Sequence, residues 1–115
     1  MKKTDKKIDR QICQALTIAC EAIKTEVNGF QWLTHFVDFN QFPNSLSIVC
    51  IFNTNAEIDQ THQQMKDQTI VSLIKNELEK INITLKNISR HIAFETEEAY
   101  IKKYKRPNKS TNQAG

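Results

Sequence analysis

Phe30-Gln-Trp-Leu-Thr-His-Phe-Val-Asp-Phe39 and, one turn later, Leu46-Ser-Ile-Val-Cys-Ile-Phe52 decide the fold of this chain. Both stretches are rich in aromatic and β-branched residues and poor in strong helix formers, so they read as two strands. Asn40-Gln-Phe-Pro-Asn-Ser45 between them is turn chemistry, with Pro43 and Asn44 as punctuation. So short a connection favours an antiparallel hairpin. Neither strand alternates cleanly. Period two puts Phe30, Trp32 and Phe36 on one face of the first strand and Leu33, Val37 and Phe39 on the other. In the second, Leu46, Ile48, Cys50 and Phe52 oppose Val49 and Ile51. A strand with one wet face mixes apolar with polar, so both faces of this sheet are expected to be covered. Two long helices can cover one. The other needs the last helix, a second subunit or a ligand, and the face carrying Phe30, Trp32 and Phe36 is the expected contact surface.

The elements around the hairpin follow from periodicity. Ile8, Ile12, Leu16, Ala19, Ile23 and Val27 step by three or four and form one helical stripe. Thr4 or Asp5 is the expected cap at its start, and Asn28-Gly29 its end, where Gly can take the left-handed conformation a C-cap uses. Cys20 falls at the stripe's edge and Cys13 on its flank. Thr54-Asn-Ala-Glu57 matches a capping box, but residues 59–69 offer only Met65 as an apolar anchor, so an exposed or broken first turn is expected there. The secure helix runs over about 66–81, with Ile70, Leu73, Ile74, Leu78 and Ile81 on one face. Glu77 lies inside that stripe and is expected to rotate to its edge, since carboxylates are rarely buried unpaired. Ile83 and Leu85 read as a short extended piece, His91-Ile-Ala-Phe-Glu95 as a third strand. A short helix opens at Thr96-Glu-Glu, with Tyr100, Ile101 and Tyr104 inward and Pro107 as its stop. The order α-β-β-α-β-α predicts an α+β fold, a two-layer sandwich with a mainly antiparallel sheet.

With 115 residues the chain is long enough for one domain with a real core, expected over 8–104 between a basic N-terminal end (1–7) and a polar basic tail (105–115). The formal charge of +3 is unevenly spread: the two ends are basic, and the body between residues 8 and 100 is acidic by five charges. Lys102, Lys103, Lys105, Arg106 and Lys109 are therefore the residues on which any nucleic-acid binding must rest. The plainer account is that chain ends collect solvated charge. The start lacks an apolar segment of a secretory signal, and no apolar run is long enough for a membrane span. Three cysteines without C-x-x-C spacing predict a reducing, cytoplasmic setting.

The sequence carries no recognisable catalytic or cofactor motif. The only internal glycine is Gly29, so phosphate-cradling loops fail. There is no nucleophile elbow and no G-x-x-G clamp of a KH module. Asp38 lacks the partner strand a nuclease metal cage requires. His35, His62 and His91 are each isolated, without zinc-ligand spacing, which leaves only a metal site assembled from distant residues. Trp32 and Phe36 can stack bases if their face is open, but core or interface packing is the commoner use of such rings. Thr34 and His35 point to opposite faces and form no triad with Asp38. A dispersed enzyme site would need His35, His91 or Glu77 to converge. The expectation is a non-enzymatic module without cofactor or metal that self-associates or binds a protein partner.

Thr4-Asp-Lys-Lys-Ile-Asp9, Gly29-Phe-Gln-Trp-Leu-Thr-His35, Phe42-Pro-Asn-Ser-Leu46, Phe52-Asn-Thr-Asn55 and Arg90-His-Ile-Ala-Phe-Glu-Thr-Glu-Glu-Ala99 together resemble a small proteobacterial family of uncharacterised function. Some of its members carry the label of a Fis-family transcriptional regulator. The resemblance implies a bacterial cytoplasmic protein, and the label implies DNA binding through a C-terminal helix-turn-helix. The C-terminal third here reads instead as helix, strand and short helix.

Overall fold

The computed structural model describes residues 3–104. Helix α1 (Lys3–Glu26) leads into β1 (Phe30–Phe36) and β2 (Ser47–Phe52). Helices α2 (Asn55–Gln63) and α3 (Lys66–Lys80) follow, then β3 (Ile92–Thr96) and α4 (Glu97–Tyr104). The α+β class and the element order follow the sequence expectation, with α2 as an additional helix. Thr54 caps α2, its hydroxyl accepting from the Glu57 N–H. The chain breaks after Gln64, where Met65 takes φ 59° and stands 61% exposed before α3 begins. The weak apolar content of 59–69 shows itself as that break.

The sheet corrects the expectation of a mainly antiparallel arrangement. Its order is β1-β2-β3; β1 pairs antiparallel with β2, but β3 lies parallel to β2, with Ile48 opposite Ile92 and Cys50 opposite Phe94. The physical reason is the connection: α2 and α3 between β2 and β3 supply the long crossover a parallel pair needs.

One sheet face carries the main core. From α1, Ile12, Leu16, Ala19, Cys20 and Ile23 are buried against Leu33, Ile48, Cys50 and Phe52, joined by Ile70, Ile74 and Leu78 of α3. The α1 stripe is thus buried as its periodicity predicts, and Ile83 and Leu85, unpaired, tuck their side chains into the same core. Helix α1 is already under way at Lys3, so Thr4 and Asp5 stand inside its first turn rather than ahead of it. At its other end Gly29 has φ +85°, and a Cβ there would come within 2.5 Å of the Glu57 side chain. Both the backbone conformation and the close approach require glycine.

The opposite face is covered by α4, so the sheet has helices on both sides and the simple two-layer picture is corrected. Val49, Ile51 and Tyr100 are buried there, with Trp32, Phe36 and Tyr104 partly buried around them. Trp32 meets Tyr100 edge-on at 5.2 Å and Phe36 stacks on Tyr104 at 5.2 Å. Of the three coverings the strands called for, the last helix supplies one. No helix among the described residues is long and apolar enough to cross a membrane.

Candidate functional site

The expected contact surface was Phe30, Trp32 and Phe36, and the structure separates the first from the others. A register irregularity between Phe30 and Trp32 pairs Phe30 with Phe52 and Trp32 with Ile51. One extra residue, the exposed Gln31, resets the alternation. Phe30 therefore joins the main core, edge-on to Phe52 at 5.9 Å. Trp32 and Phe36 stay on the α4 face, half-buried, and Trp32 Nε1 donates to Glu97 Oε1 at 3.4 Å. Their aromatic neighbours Tyr100 and Tyr104 come from α4, as does Ile101, which is 47% exposed rather than turned inward. The result is a row of partly covered rings with an exposed aliphatic side chain on the helix beside it.

Of the cationic residues, Lys102 pairs with Glu98 at 3.4 Å, and Lys103 lies 3.6 Å from Glu95 and over the Tyr104 ring. The Glu95 carboxylate beside it holds the Lys103 ammonium above its ordinary range, with Tyr104 adding to the effect. Lys105, Arg106 and Lys109 lie outside the described residues. The described part of the C-terminal third runs from the end of α3 through a 3-10 turn and β3 into α4, not two helices around a tight turn.

Of the residues a dispersed enzyme site would need, His91 and Glu77 find separate partners, as does His62. His91 Nδ1 donates to the Leu46 carbonyl at 2.7 Å. Glu77 rotates to the edge of its stripe and accepts from Lys80 at 3.0 Å. His62 lies 3.3 Å from Asp67 and stacks on Phe94, beside a cleft of about 200 Å³ that Ser89 and Ile92 also line. Sites for drug-sized ligands run from roughly 300 Å³ upward, so this cleft is small for a substrate.

His35 is different. Its side chain is 1% exposed, on the α1 side of β1, with Nε2 2.9 Å from Asp9 Oδ1. Its Nδ1 is buried without a hydrogen-bond partner among the described residues. Cys13 stands one turn of α1 beyond Asp9, so the two side chains share a face of the helix. One ligand atom from each of Asp9, Cys13 and His35 lies within 4.8 Å of the others. Partial burial, and then the Asp9 charge, push the Cys13 thiol up from its ordinary value. The i, i+4 step from Asp9 to Cys13 is the one signal of this cluster that the sequence carries, and the expectations above do not draw on it. The third member comes from another element, brought over by packing of α1 on the sheet.

No family model, curated protein or solved structure matches this chain.

Proposed function

We propose that the chain is a non-enzymatic interaction module that pairs with a second copy of itself through the α4 side of its sheet. The observation that supports this reading is the row of half-buried Trp32, Phe36 and Tyr104 beside the exposed Ile101. Rigid aromatic side chains with one face still wet are the residue types that anchor protein contacts, because they bury large area at small entropic cost. The contact then combines Trp32 and Phe36 with the helix side chains and no longer includes Phe30. Nucleic-acid binding is the weaker reading, because Lys102 and Lys103 already have carboxylate neighbours.

Analytical ultracentrifugation between about 1 and 200 μM tests this reading. The expected result is a dimer that Ile101→Asp, at an exposed position, converts to a folded monomer with at least a ~30-fold weaker dissociation constant, about 2 kcal/mol. A monomer across the whole range, or a dimer indifferent to Ile101→Asp, overturns it.

A further inference from the structure

We propose that Asp9, Cys13 and His35 form a binding site for a divalent cation of the zinc class, with the fourth position left to water or an incoming donor. The donor set is one carboxylate oxygen, one sulfur and one imidazole nitrogen, a mixture suited to a borderline-soft tetrahedral ion and not to magnesium or calcium, which take oxygen. Two donors each about 2.0–2.1 Å from a tetrahedral zinc stand roughly 3.3 Å apart. His35 Nε2 and Asp9 Oδ1 are 2.9 Å apart, and the cysteine sulfur is within 4.8 Å of both residues' donor atoms. An ion at their centre would draw the three donors together.

The imidazole forms the buried side of the site. The ring is 1% exposed; its Nε2 faces Asp9, and its Nδ1, on the other side of the ring, has no hydrogen-bond partner among the described residues. An ion taken by Nε2 fixes the proton on Nδ1, so the ring would bind it as the neutral imidazole. The surroundings are graded as a three-ligand site requires: His35 is buried, whereas the Asp9 side chain is 23% exposed and Cys13 is also partly exposed. Solvent therefore reaches the side opposite the histidine. Two ligands come from adjacent turns of α1 and one from β1, so the ion would fasten the helix to the strand. The site is separate from the α4 side of the sheet and does not depend on dimer formation.

The test is titration of the untagged, reduced full chain with cobalt(II), followed by the near-ultraviolet absorption of a thiolate–cobalt bond and by zinc competition. The expected result is one equivalent bound with a charge-transfer band, displaced by zinc. Cys13→Ser should abolish the band while circular dichroism stays native. Asp9→Asn should weaken binding at least ~10-fold, and His62→Gln should leave it unchanged. No band at saturating cobalt, or a band that survives Cys13→Ser, overturns the assignment. Because Cys13 and Asp9 are partly exposed, loss of binding in those variants is separable from loss of fold, and a zinc-dependent rise in Tm present in the wild type and absent from Cys13→Ser gives a second readout.

Discussion

Tyr100 shows how one residue carries two conflicting demands. Its ring is fully buried on the α4 face and packs on Trp32 and, at 5.1 Å, on Tyr104. Its hydroxyl is buried with no hydrogen-bond partner among the described residues. The ring contributes apolar burial; the orphaned hydroxyl costs its lost hydration, of order 1–3 kcal/mol. Phenylalanine keeps the first and removes the second. Tyr100→Phe is therefore expected to raise stability by about 1 kcal/mol, read as a higher urea midpoint with an unchanged slope. A loss of stability would mean that the hydroxyl has found a partner. At the same scale, Gly29 was legible in advance, because Asn28-Gly29 ends an apolar stripe. Phe30 was not. Period two assigns it to the face of Trp32 and Phe36, and only the pairing of Phe30 with Phe52 reveals the slip. A bulge of one residue inverts every side chain beyond it, and nothing in Phe30-Gln-Trp marks its place.

At the scale of elements, the helices and the antiparallel β1–β2 hairpin were legible in advance, and the direction of β3 was not. Ile8 through Ile23 in α1, Val27 just past its end, and Ile70, Ile74 and Leu78 in α3 face the core as their spacing predicts. The parallel setting of β3 was hidden because its direction is fixed by how α2 and α3 cross the sheet, not by its own residues. The Asp9–Cys13–His35 cluster was hidden for the same reason: a local spacing gives two members, and the third depends on which strand α1 lies against. The break between α2 and α3 is itself testable. Met65 holds a left-handed conformation at φ 59°, which costs a residue with a Cβ roughly 1–2 kcal/mol relative to glycine. Being 61% exposed, it loses little packing on truncation. Met65→Gly is expected to stabilise the protein by about 0.5–1 kcal/mol, net of the added freedom of the unfolded chain, and thermal unfolding measures it. Destabilisation would show that the Met65 side chain contributes packing that its exposure conceals.

For the whole molecule, the three free thiols make stability depend on alkaline pH. Cys50 lies in the centre of the sheet, fully buried between α1 and the strands. Burial pushes its thiol far up from the ordinary value of 9.0, with a smaller contribution from Cys20. Cys20 and Cys13 are raised in the same direction, again chiefly by burial. Each of these groups has a folded pKa above its unfolded one. Their contribution is complete below pH 9 and is lost as pH rises, because the unfolded chain releases the proton while the folded chain retains it. Once the unfolded thiol is ionised, a single retained proton changes stability by about 1.4 kcal/mol per pH unit. Urea midpoints at pH 7, 8, 9 and 10 should therefore hold level to about pH 8.5 and then fall. Keeping to pH 10 avoids discharging Lys103, whose ammonium is favoured in the fold and whose loss at higher pH would add to the decline. Cys50→Ala should be less stable than the wild type at pH 7, by about 1 kcal/mol for the sulfur removed from the core, and should show a shallower fall between pH 9 and 10. The difference between the two curves isolates the buried thiol, because the cavity cost is the same at every pH. Parallel curves would show that Cys50 ionises in the folded protein as readily as in the unfolded chain, which a side chain sealed between α1 and the sheet does not allow.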